Sequence, residues 1–314
     1  MQGNVSMPVA AENWFESRVL RPWFESRLLG NWMPSAFVIL PLAALRFVTH
    51  LCIQWAAALA YYSLIGLVPL LAATFAIIKT LGLHRQLTPF IITSIGAGSP
   101  EVAREVVSFI DQTQVRAVFV LSVVGALLAI IAIMSNAELC LNHIWGDVPG
   151  RSFRGKFRSF FTVAFLAPLL LVLALAMTTL LQPGHRLYEL FDSFQLGDIV
   201  LMVLRILPYA LLWLSFTLLY TGLPNTEVRT RSAIFGAVVA GTLWQLAQWT
   251  YVTFVINLVR YSAVYGTLWQ LPILLAWIYI AWGVILFGAE VSRAHQEISQ
   301  RRAEPRRPDM ARAG

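Results

Sequence analysis

Residues Gln54–Ile78 read QWAAALAYYSLIGLVPLLAATFAII, a run of 25 residues without a charge that Lys79 closes. An α-helix rises about 1.5 Å per residue and a bilayer's hydrocarbon core is about 30 Å thick, so roughly 20 apolar residues cross it. The run is long enough. It is not uniform, however: Tyr61, Tyr62 and Ser63 sit in its middle and Pro69 follows. A helix that only anchors needs none of these. Polar groups inside a membrane helix turn toward protein or water. The stretch therefore reads as the first helix of a polytopic bundle, with its polar middle facing a cavity.

Composition agrees. Hydrophobic residues make up 58% of the chain and charged residues 12%, with a mean hydropathy of +0.68. A soluble domain carries about 25% charge. The net charge of +7 fits cationic loops retained on one membrane face better than nucleic-acid binding. Cys52 and Cys140 both lie in or beside apolar runs, and two separated thiols make neither a disulfide framework nor a metal site.

Outward from the first run, further apolar stretches cover about 117–144, 160–182, 199–221, 233–258 and 267–289. The expected fold is all-α: a polytopic membrane bundle of six transmembrane helices within residues 36–292. Interfacial amphipathic helices accompany it. One is AFVILPLAALRFVT (36–49), too short to span and broken by Pro41 and Arg46. Another follows Ser99-Pro100-Glu101, a helix-start signature, with Val102, Val106, Phe109 and Ile110 on one face. Residues 1–35 form an N-terminal segment in which Trp14-Phe-Glu-Ser-Arg18 recurs as Trp23-Phe-Glu-Ser-Arg27. No basic stretch leads into a short apolar core there, so no signal peptide is expected. Residues 293–314, rich in arginine, read as a disordered tail.

Six spans put both termini on one side. The N-terminal segment, second loop, fourth loop and tail hold 16 Lys and Arg, against 6 in the other three loops. That excess predicts both ends in the cytoplasm of a bacterial inner (plasma) membrane. Tyr61 then lies about 9 Å in from the cytoplasmic edge. Glu138, Asn142 and Glu290 reach the same level, and Arg205 sits in the outer third of the fourth span. Pro69, Pro208 and Pro272 are expected kinks.

Tyr61, Tyr62, Glu138, Asn142, Arg205 and Glu290 are thus the candidate substrate-binding residues. Each has a plain structural reading as well: the tyrosines can bond between helices, and Glu290 can pair with Arg293. Trp244 and Trp277 read as packing. No catalytic set is visible. His50, His84, His143, His185 and His295 are isolated in sequence, no HExxH, GxSxG or phosphate-binding loop occurs, and no cofactor or metal site is expected.

Several stretches together resemble the YihY/BrkB family. They are Ala56–Leu71, Asn142-His-Ile-Trp145, Pro149-Gly-Arg-Ser-Phe153, Tyr220-Thr-Gly-Leu-Pro-Asn225, Phe235-Gly-Ala237, Tyr265-Gly266, Trp277-Ile-Tyr279 and Gly288-Ala-Glu290. Their order holds over about residues 36–292. The resemblance implies a six-helix inner-membrane protein. It also brings an older label, ribonuclease BN, which the absence of hydrolase ligands opposes.

The residues favour a non-enzymatic transporter or flippase of an amphiphilic substrate, an anionic lipid for example. Tyr61, Tyr62, Glu138 and Asn142 would admit the substrate and Arg205 would attract its headgroup, with Glu138 or Glu290 as proton carrier. Membrane lipids are the expected partners, nucleic acid is not one, and self-association is compatible with the sequence. The alternatives are an envelope scaffold that does not transport and, last, a membrane-bound ribonuclease.

Overall fold

The computed structural model describes residues 36–80, 115–146, 198–259 and 270–303, with single positions at 18, 166, 169, 170 and 173. Six helices are described: α1 (Ala36–Thr49), α2 (Cys52–Thr80), α3 (Val115–Ile144), α4 (Asp198–Gly222), α5 (Thr230–Val259) and α6 (Gln270–Ala303). The described residues contain no strand. Among the described residues, three segments are long and apolar enough to cross a membrane: Cys52–Ile77, Val120–Ile144 and Leu271–Arg302. Val38–Thr49 and Ile206–Gly222 are shorter apolar helices. Apart from those single positions, the expected third span, the helix after Ser99, the N-terminal segment, Arg260–Gly266 and the tail beyond Ala303 lie outside the described residues.

The chain forms two compact units, Met1–Ala57 with Ala137–Gly314 and, separately, Ala58–Asn136. In the smaller unit, α2 and α3 meet through small residues. A side chain at Gly66 would press on Ala129 and Ile133, and one at Gly125 would press on Pro69. Where lipid is the solvent, helices gain little from hiding apolar surface and more from close backbone approach, so small residues mark the seam.

In the larger unit the same device is stronger. A Cβ at Gly236 of α5 would overlap Ser292 and the Gly288 carbonyl of α6, and one at Gly288 would overlap Tyr220 and Ala240. Ala233, Ala237, Ala240 and Ala289 are buried beside them. Tyr220 of α4 fills the remaining slot and donates its hydroxyl to the Ile285 carbonyl at 2.9 Å. Farther along, Phe216, Trp244, Trp277 and Tyr251 pack ring against ring at 4.6–5.9 Å, as expected for packing aromatics.

Two features go beyond the expectations. First, α1 packs against α6. Val38, Ile39, Leu42 and Ala43 bury against Val291, Ala294 and Ile298 of α6. Arg46, which seemed to break the helix, is 6% exposed and pairs with Glu297 at 2.7 Å. Second, residues 293–303 are helical rather than disordered, because Val291, Ala294 and Ile298 continue an apolar stripe at helical spacing. At 34 residues, α6 is about 51 Å long, well beyond a bilayer core. Pro272 is the third described residue of α6, and the residues before Gln270 lie outside the described ones. Pro69 and Pro208 do fall inside α2 and α4.

Between α1 and α2 the chain turns at Leu51, whose φ of 55° is unusual for a branched residue. Its amide bonds back to Val48, and its carbonyl receives the amides of Gln54 and Trp55. Leu51 thus ends one helix and caps the next.

The packing yields two predictions. Gly288→Val should prevent normal folding, whereas Gly283→Ala, which meets no neighbour within 4 Å, should raise the melting temperature in detergent slightly. Tyr220→Phe should lower stability by about 1 kcal/mol, since the hydroxyl's bond across to the Ile285 carbonyl is lost; thermal unfolding of the three variants checks this.

Candidate functional site

The elbow at Leu51 delivers His50 and Cys52 onto α6. There Glu290, fully buried, places Oε1 at 2.6 Å from His50 Nδ1 and 3.6 Å from Cys52 Sγ, which donates to it. Its other oxygen, Oε2, is buried and has no hydrogen-bond partner among the described residues. Burying a carboxylate is costly unless an opposite charge or donors compensate it. His50 supplies that compensation, as an imidazolium or as a neutral N–H donor. Glu290 is therefore neither solvated at a helix end nor dependent on Arg293.

Arg293 has a different role. Its guanidinium donates to the carbonyl of Ile144 at the C-terminus of α3, where helix carbonyls lack amide partners and a cation is favoured. Gly146 follows with a φ of 103°, which only glycine adopts without strain. This places the end of α3 beside the elbow. His143 stacks edge-on to His50 at 5.7 Å and lies 6.2 Å from Trp55. Cys140 and Cys52 are both free and buried.

Asn142 is also committed. Its Oδ1 accepts the backbone amide of Asn225 at 2.7 Å, joining the end of α3 to the turn after α4. Its Nδ2 and the indole nitrogen of Trp145 are buried without hydrogen-bond partners among the described residues. Glu138, one turn before Asn142, is 1% exposed.

The expected residues therefore divide. Glu138, Asn142 and Glu290 all belong to the larger unit and are buried there. Tyr61 and Tyr62 belong to the smaller unit, are 60% and 38% exposed, and contact each other edge-on at 6.1 Å. Arg205 lies in α4; its side chain is outside what the structure describes. His50, Cys52 and His143 were not anticipated. No local pattern announces them, because 240 residues separate His50 from Glu290. Among the described residues no group of three His, Cys, Asp or Glu side chains could hold a metal ion.

Two clefts are described, and neither is lined by these residues. One, of about 490 Å³, is apolar and runs between α5 and α6 along Leu246, Tyr251, Ile273 and Trp277. The other, of about 640 Å³, is bordered by Arg229, Arg231, Ser232, Ile234, Phe235, Val238, His295 and Ser299.

Comparison with known proteins accords with this architecture. The chain is 31% identical over 240 residues to a UPF0761 membrane protein of Aeromonas salmonicida, covering 74% of this chain and 80% of that one. It is 26% identical over 261 residues to a UPF0761 membrane protein of Haemophilus influenzae, covering 81% and 94%. A Chlorobium phaeobacteroides relative is 31% identical over 240 residues, 75% of this chain and 52% of its own length. No solved structure matches the chain. The profile of the virulence factor BrkB family matches residues 43–313, so the chain belongs to that family of membrane proteins.

Proposed function

We propose that this membrane protein is a carrier that moves or flips an amphiphilic, anionic substrate such as a lipid, drawing on a proton bound at the His50–Glu290 pair. The reading includes the topology argued from sequence: six spans, a bacterial inner membrane and both termini in the cytoplasm. It involves no catalysis by the chain.

One observation carries it. A fully buried glutamate in a membrane helix bonds to an imidazole through one oxygen and keeps the other unpartnered among the described residues. Intramembrane acids are costly and mark proton or ion pathways. A carboxylate sharing a hydrogen bond with an imidazole can exchange a proton with small motion. Nearby, Asn142 and Trp145 also retain bonding capacity. Buried polar groups without partners are rare in proteins and call for an explanation; a transported proton or headgroup provides one. Arg205, within α4, remains the residue proposed to attract the headgroup, and exposed Tyr61 and Tyr62 the residues proposed to meet the substrate.

An envelope scaffold is the second reading. Its motive is the close packing of these polar groups: Asn142 joins α3 to the turn at Asn225, and Glu290 joins α6 to the elbow at His50.

Proteoliposomes with an imposed pH gradient and a fluorescent anionic phospholipid distinguish the two. The wild type should translocate the lipid faster with the gradient than without. Glu290→Gln and His50→Ala should each lower that rate by about tenfold or more while their melting temperatures confirm folding, the expected scale for losing a group in proton transfer. Wild-type rates in both variants would remove the pair from the mechanism. A wild type that moves no lipid under either condition would favour the scaffold.

A further inference from the structure

The cleft between the start of α5 and the end of α6 has two unlike walls. Arg229, Arg231, Ser232, His295 and Ser299 border one part of it; Ile234, Phe235 and Val238 border the other. Arg231, Ile234, Phe235 and Val238 are spaced three, four and seven residues apart, so they share one face of α5. That face passes from cation to hydrocarbon over about 10 Å.

The cationic side is held in place. The Arg229 amide donates to Gln296 Oε1 at 2.8 Å, and Gln296 Nε2 donates to the Glu227 carbonyl at 3.2 Å. Ser232 Oγ and His295 Nδ1 lie 2.9 Å apart, and the His295 ring stacks on Phe235 at 4.8 Å. Both arginines are exposed, and among the described residues neither has a carboxylate partner. Glu227, the acid nearest in sequence, is exposed and does not line the cleft.

We propose that this cleft binds the phosphate of an anionic phospholipid, with Arg229 and Arg231 on the headgroup and Ile234, Phe235 and Val238 along the first part of its acyl chains. Guanidinium groups pair with phosphate through parallel charge-assisted hydrogen bonds. Ser299, on the same border, supplies a hydroxyl that can donate to a remaining oxygen. The position fits a lipid. The apolar segment of α4 ends at Gly222, and on the topology proposed above Arg229 and Arg231 follow it at the cytoplasmic face, where anionic headgroups lie. A soluble phosphate would use the cations and leave the apolar wall without a role. The proposal does not rest on transport, since a scaffold held or regulated by lipid would need the same site.

The test is binding to purified full-length protein in detergent, read by thermal shift and native mass spectrometry. The probes are phosphatidylglycerol, phosphatidylcholine and free glycerol phosphate. The wild type should bind phosphatidylglycerol in preference to phosphatidylcholine, and glycerol phosphate should bind far more weakly. Arg229→Gln with Arg231→Gln should weaken phosphatidylglycerol binding by about tenfold or more. Arg18→Gln with Arg301→Gln, which removes the same charge from positions that do not line the cleft, should leave it unchanged. Val238→Asn should weaken the lipid and not glycerol phosphate. Equal affinity in the wild type and the cleft variant, or equal loss in both double variants, overturns the site. Glycerol phosphate binding as tightly as the lipid overturns the lipid assignment.

Discussion

No methyl group fits between α5 and α6 where Gly236 faces Gly288 and Ser292. That closeness sets the register of the larger unit. With α6 fixed against α5, and Tyr220 wedged from α4 onto Ile285, the side chains that follow on α6 have fixed neighbours. Glu290 must meet the elbow after α1, Arg293 the end of α3, His295 the start of α5 and Glu297 the guanidinium of Arg46. Four connections thus depend on a seam whose residues carry no charge.

Because lipid gives helices little reason to hide apolar surface from it, the polar connections are also what distinguishes this packing from sliding alternatives. Arg46–Glu297 and His50–Glu290 act in register: α1 runs against α6, so four residues along one helix answer seven along the other. Each buried polar group is costly alone and acceptable once it has its partner. Val291 and Ala294 lie between the two pairs along α6 and, with Ile298, bury against Val38, Ile39, Leu42 and Ala43 of α1.

Much of this was legible in the sequence. The uncharged run Gln54–Ile78 lies within α2, and the apolar stretches 117–144 and 199–221 lie within α3 and α4, because a long apolar run is stable as a helix that meets lipid or protein. The continuation of α6 was not legible, because Arg293, Glu297, Arg301 and Arg302 hide three apolar positions at helical spacing among charges. Glu290 was recognised as a candidate, but its partner was not. His50 and His143 look isolated along the chain and become neighbours only once α1, α3 and α6 converge. Asn142 was expected to meet substrate, and part of its amide joins α3 to the turn at Asn225 instead. Motif strings such as Phe235-Gly-Ala237 and Gly288-Ala-Glu290 marked the seam without revealing that it was one, since a glycine's reason is the atom opposite it.

The backbone at Leu51 carries a last consequence. A left-handed residue with a side chain costs roughly 1 kcal/mol, and glycine would avoid it. The elbow is therefore a loaded spring, kept bent by the clasp that α1 makes on α6. The contacts that hold it, His50 on Glu290 and Arg46 on Glu297, both end within residues 290–297 of α6, so the cost of the bend is borne by a single helix.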